Sequence, residues 1–110
     1  EIGEVKYESD WYDYDSKYNS NNKITIPAEI DSKITNQIKE IAIQSCRALN
    51  IFGFARVDFF LEKSSNKILL NEINTIPGFT KNSMFPMLWK ASGLNIEQLV
   101  AKLVDISLDL

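Results

Sequence analysis

Apolar residues fall at helical spacing over one stretch of the chain. Ile34, Ile38, Ile41, Ala42, Cys46 and Leu49 share one face, while Lys33, Gln37, Lys39, Glu40, Gln44 and Arg47 fall mostly on the other. This spacing predicts an amphipathic helix, capped by Asp31 or Ser32 and ending near Asn50, before Gly53. The period then changes. Residues 54–62 and 67–73 alternate or run apolar in β-favouring types on either side of Lys63-Ser64-Ser65-Asn66, a turn sequence, and predict an antiparallel hairpin. After an irregular segment around Pro77-Gly78, Ser83 can cap a helix that runs to about Ala91 and stops at Gly93. Ile96, Leu99, Val100, Leu103, Val104 and Ile106 or Leu108 predict a last helix with Asn95 as its cap. Ahead of all these, short extended stretches at 2–7 and 24–27 flank a segment holding Tyr7, Trp11, Tyr12, Tyr14 and Tyr18 among aspartates and asparagines. That segment reads as a long aromatic binding loop, or more plainly as a frayed terminus.

Composition narrows the chemistry. The 110 residues, 45% apolar and 25% charged, describe one ordinary folded domain with no internal repeat and no low-complexity tract. Twelve Lys and Arg against 15 Asp and Glu leave a formal charge of -3, so neither nucleic acid nor an anionic membrane is an expected partner. Cys46 is the one cysteine and sits in an apolar stripe, which makes it core filler rather than a nucleophile. With no signal peptide and no membrane-length apolar run, a cytoplasmic setting is expected. Histidine is absent, which removes Ser-His and Cys-His catalysis and the usual zinc ligand.

The hairpin holds polar residues where a core strand would not. A turn centred on Ser65 places Asp58 opposite Glu72, Arg56 opposite Asn74 and Phe60 opposite Leu70, all on one face, with Ile68 beside them. The other face shows Val57, Phe59, Leu61, Leu69 and Ile73, with Asn71 the exception. Facing carboxylates repel, and an oxygen-only set suits a hard ion such as Mg²⁺ or Mn²⁺ with a nucleotide as co-ligand. A solvated hairpin face with incidental charges is the plain alternative. Farther on, the helix start at Ser83 could hold a carboxylate, although taken alone a simple N-cap is the more common explanation of a serine there.

These residues resemble a known family, the D-alanine–D-alanine ligases of the ATP-grasp superfamily. The likeness runs from Leu49 through Gly53, Arg56-Val57-Asp58 and Phe59-Phe60 to Leu70, Glu72-Ile73-Asn74-Thr75, Pro77-Gly78 and Phe79-Thr80-Lys81-Asn82-Ser83. A second match, Tyr12-Asp13-Tyr14-Asp15-Ser16-Lys17-Tyr18, resembles the family's active-site loop. The resemblance implies an α+β fold: the C-terminal part of an ATP-grasp domain, an antiparallel sheet packed against helices, with 1–23 the aromatic loop region and 24–110 the metal- and ATP-binding core.

The resemblance also implies a reaction. ATP phosphorylates the carboxylate of one D-alanine, and the amine of a second attacks the acyl phosphate to give the dipeptide of peptidoglycan. Asp58, Glu72 and Asn74 would hold two Mg²⁺ or Mn²⁺ ions, with Glu72 bridging. Arg56 and the Gly78 backbone would stabilise the oxyanion, and Ser83 with the Met84 N–H would bind the second D-alanine's carboxylate. Lys17 would reach the γ-phosphate, Tyr18 would close over the substrates and favour D-alanine over D-lactate, and Trp11 and Phe60 would flank adenine. The family's N-terminal and central domains have no counterpart here. The chain is therefore expected to be a fragment, inactive alone and prone to self-association, of a parent that forms a homodimer. A different ATP-grasp carboxylate–amine ligase and a non-catalytic interaction domain remain the alternatives.

Overall fold

The computed structural model describes residues 1–6 and 23–110. Its elements are β1 (Glu4–Lys6), β2 (Lys23–Thr25), α1 (Ser32–Ala48), β3 (Arg56–Glu62), β4 (Lys67–Asn74), α2 (Met84–Ala91) and α3 (Ile96–Leu108). Among the described residues the strands form two antiparallel pairs, β1 with β2 and β3 with β4, in a mixed α/β arrangement. The aromatic segment with Trp11, Lys17 and Tyr18 lies outside the described residues.

Local chemistry sets the helix ends. The Asp31 carboxylate accepts from the Lys33 N–H at 3.0 Å and starts α1. Its apolar stripe buries Ile38, and Asn50 at φ 54 ends the run in a left-handed turn that returns the Ile51 N–H to the Cys46 carbonyl at 2.9 Å. Gly93, at φ 100, makes the corresponding break between α2 and α3. Asn95 and Gln98 then form a reciprocal capping box at 2.8 and 3.0 Å.

The β3–β4 hairpin forms around the expected turn, with a correction in its register. Arg56, Val57 and Asp58 face Asn74, Ile73 and Glu72, but a shift between Asp58 and Phe59 then pairs Phe59, Phe60, Leu61 and Glu62 with Leu70, Leu69, Ile68 and Lys67. Phe60 thus faces Leu69, not Leu70, and Leu69 exchanges faces with Ile68 and Leu70. The residue left over is Asn71. An unbroken ladder would aim its amide into the apolar face, whereas a bulge removes it and lets Ile68 and Leu70 join Phe59 and Leu61 there.

Among the described residues the buried apolar side chains are few: Ile38, Phe85 and Leu99, with Pro77 and Pro86. Phe85 anchors the end that bears the irregular segment, its ring centroid 5.7 Å from Phe54, 6.1 Å from Phe79 and 6.4 Å from Trp89. Between α1 and the start of β3 an open hollow of about 350 Å³ is lined by Ile43, Cys46, Phe52, Phe54 and Val57 among others. No helix among the described residues is long and apolar enough to cross a membrane.

Among the described residues one buried side-chain polar atom lacks a partner, the Thr25 hydroxyl at the end of β2. Replacing it by the isosteric Thr25→Val removes that desolvation cost and is expected to stabilise the fold by about 1 kcal/mol. A higher urea midpoint would show it; an unchanged or lower one would contradict it.

Candidate functional site

Strand pairing brings four polar side chains to one face of the hairpin. Arg56 and Asp58 lie two apart on β3, Glu72 and Asn74 two apart on β4, and the register sets Arg56 opposite Asn74 and Asp58 opposite Glu72. The Arg56 guanidinium forks onto Asp58, Nε to Oδ1 at 2.8 Å and Nη2 to Oδ2 at 2.9 Å. Its Nη2 also lies 3.7 Å from Glu72 Oε1, so one cation stands between two facing anions. The side chains of Asp58 and Glu72 are 31% and 52% exposed, which leaves both within reach of a ligand from solvent. Among the described residues no group of three or more Asp, Glu, His or Cys side chains is placed to hold a metal. The donor set is therefore two carboxylates and the amide of Asn74. Such a set suits an ion that completes its shell with water or phosphate.

From β4 the chain runs directly to a second polar group. The Asn74 Oδ1 accepts from the Ile76 N–H at 3.0 Å, a turn that redirects the backbone towards the buried Pro77 and then Gly78. A Cβ on Gly78 would stand 3.0 Å from Ser83 Oγ, so the backbone here approaches the serine more closely than a side chain would permit comfortably. Ser83 occupies the N-cap position of α2 yet makes no capping hydrogen bond with its side chain. Its Oγ instead accepts from the Thr80 N–H at 3.0 Å and lies 2.6 Å from Thr80 Oγ1. The plain N-cap alternative is corrected by this geometry. Pro86 at the third helical position has no N–H to offer, which weakens the incentive for a serine to turn inward.

Of the residues singled out in the sequence, Arg56, Asp58, Glu72 and Asn74 form one group, and Gly78, Ser83 and Met84 another. Phe60 lies on the polar face beside Leu69 and is half exposed. Trp11, Lys17 and Tyr18 lie outside the described residues. Thr80 is the partner that sequence reasoning missed; the available signal was a threonine three residues before a serine at a helix start.

Residues 1–105 match the family model described as D-ala D-ala ligase C-terminus. The chain is 94% identical over 110 residues, 100% of its length, to a D-alanine–D-alanine ligase of Prochlorococcus marinus (strain MIT 9301), of which it spans 31%. It is similar to the solved VanG D-Ala:D-Ser ligase from Enterococcus faecalis, with a TM-score of 0.79 and 40% identity over 94% of this chain and 30% of that one. A D-alanine–D-alanine ligase from Bacillus anthracis complexed with ATP shares the fold, with a TM-score of 0.79 at 22% identity over 97% of this chain and 35% of that one.

An oxygen-only pair predicts divalent-ion binding that depends on charge rather than shape. In calorimetric titration with Mg²⁺, Glu72→Gln is expected to weaken binding about tenfold or more while leaving the unfolding midpoint in place. Equal affinities would remove the metal role of this face.

Proposed function

We propose, from the premise that this chain belongs to the D-Ala-D-Ala ligase C-terminal family, that it is the metal-, ATP- and second-substrate-binding portion of an ATP-dependent D-alanine–D-alanine ligase. The observation that carries the reading is the facing of Asp58 and Glu72 with Arg56 between them. The chain spans 31% of its Prochlorococcus relative, so the activity belongs to the whole ligase, and the remaining domains supply the first D-alanine's site. We assign 24–110 to the core of the ATP-grasp catalytic domain and 1–23 to its loop region, in a cytoplasmic enzyme that forms homodimers and feeds peptidoglycan synthesis.

Asp58, Glu72 and Asn74 are the proposed ligands of two Mg²⁺ or Mn²⁺ ions, with Glu72 shared. The residues fit such ions: every donor is oxygen, both carboxylates are partly exposed, and each Asp58 oxygen keeps acceptor capacity beyond its bond to Arg56. When bound, divalent ions offset phosphate charge and act as Lewis acids. Arg56 then presents positive charge beside the phosphoryl and carboxyl oxygens, and the Gly78 N–H adds a neutral donor for the oxyanion. Ser83, whose hydroxyl is not spent on capping, holds the second D-alanine's carboxylate together with the Met84 N–H, where the helix end favours an anion. Lys17 and Tyr18 are assigned the γ-phosphate and closure over the substrates, and Trp11 and Phe60 the adenine side.

The test is steady-state kinetics on the whole ligase, following dipeptide and phosphate. Glu72→Gln is expected to lower kcat about 100-fold, and Ser83→Ala to raise KM for the second D-alanine about tenfold with KM for ATP little changed. Wild-type kcat in Glu72→Gln would overturn the assignment. Faster turnover with D-lactate than with D-alanine would overturn the second-substrate preference, and dipeptide synthesis by these 110 residues alone would overturn the need for further domains.

A further inference from the structure

Gly3 sits just before β1, in a segment where no turn demands a glycine. The left-handed glycines of the described chain are Gly53 and Gly93, so the conformation of Gly3 is open to any residue. Space is what a side chain there would contend with, against the tips of two side chains of α2. A Cβ there would stand 2.7 Å from Met84 Cε, 2.8 Å from Leu88 Cδ2 and 3.2 Å from Ile26 Cγ1. The first two atoms belong to successive turns of α2 on its face towards Gly3, and the third closes the pocket from beyond β2. A backbone hydrogen bond from the Ala28 N–H to the Ile2 carbonyl, 2.8 Å long, ties together the segments before β1 and after β2 at this same place. The base of the β1–β2 ribbon is therefore seated against the start of α2 through the absence of one side chain.

We propose that Gly3 is a positioning residue for the second substrate, an inference that rests on the assignment of Ser83 and the Met84 N–H to that substrate's carboxylate. Met84 is the first residue of α2 and follows Ser83 directly. Anything wedged between Gly3 and the Met84 and Leu88 side chains pushes on the helix end that presents both donors. Met84 is flexible and can yield to a methyl group in part, whereas a β-branched side chain must shift the helix or the ribbon. Gly3 touches no reacting atom in this scheme. It acts through the placement of α2, so its loss is read in the binding of one substrate rather than in general activity.

The experiment is steady-state kinetics on the whole ligase, with D-alanine varied at saturating ATP and then ATP varied at saturating D-alanine. Gly3→Ala is expected to raise KM for the second D-alanine about threefold and Gly3→Val about tenfold or more, with KM for ATP within about twofold of wild type. Shortening the opposing side chain should relieve the effect. Gly3→Ala combined with Leu88→Ala is expected to bring KM to within about twofold of the value of Leu88→Ala alone, the residual being the contact with Met84. Ser83→Ala serves as the reference arm. If it raises KM for the second D-alanine while both Gly3 variants leave it unchanged, the positioning role is overturned and the ligase assignment stands. If Ser83→Ala itself has no effect, the second-substrate assignment falls and takes this inference with it. A parallel rise in KM for ATP in the Gly3 variants, or no recovery in the double variant, also overturns the proposal. Should Gly3→Val fail to fold, Gly3→Ala and its combination with Leu88→Ala decide the matter.

Discussion

Two carboxylates fixed opposite one another on paired strands repel, and the site is organised by the way that repulsion is met. Arg56 lies on the same strand and the same face as Asp58, so its fork can close at 2.8 and 2.9 Å without any long-range contact. Its reach to Glu72 at 3.7 Å places the same cation near the second acid. Among these three side chains one positive charge meets two negative ones. The remaining negative charge, on partly exposed oxygens, is what makes the face suited to a further cation. Among the described side chains the guanidinium thus holds the facing pair together with one positive charge to two negative ones.

Much of this was legible in the sequence because it depends on short-range rules. The spacing of Ile34, Ile38, Ile41 and Cys46 specifies α1, and a four-residue polar turn specifies the hairpin. The facing of Asp58 with Glu72 and of Arg56 with Asn74 follows from the turn's position once strands pair. The half nearer the turn was misread, since a bulge leaves no mark in apolar spacing. Asn71 was the only sign of it: a polar side chain at a position assigned to the apolar face. Moving Asn71 out of the ladder restores Ile68 and Leu70 to Leu61 and Phe59 without disturbing Glu72. The error therefore fell on Phe60 and its partner rather than on the acid pair.

Other features were illegible for a different reason. Asp31, Ser83 and Asn95 look alike as helix starts, and two of them cap with their side chains. Ser83 differs because its hydroxyl has a competing partner in Thr80, close to a Gly78 that leaves it room. That competition exists only once the loop from Pro77 to Asn82 has folded back. Gly3 is harder still. Its reason for being a glycine lies on a helix some eighty residues along the chain, in a contact that neither propensity nor turn chemistry encodes.

The two polar groups consequently stand on different physical supports. The acid pair and Arg56 are held by the ladder and bulge of one hairpin, whose hydrogen bonds are local and need little of the core. The start of α2 is held by tertiary contacts instead: Phe85 against Phe54 and Phe79, and the side chains of Met84 and Leu88 against Gly3. Side-chain packing rather than a hydrogen-bonded ladder sets this helix end, so small changes in packing act on it before they act on the hairpin. A reaction that needs a charged centre and a substrate carboxylate at fixed separation then depends on β4 and residues 75–83 to transmit the rigid placement of one to the other. Asn74 is the hinge of that connection, since its amide oxygen fixes the turn at Ile76 while its strand position fixes it beside the acids.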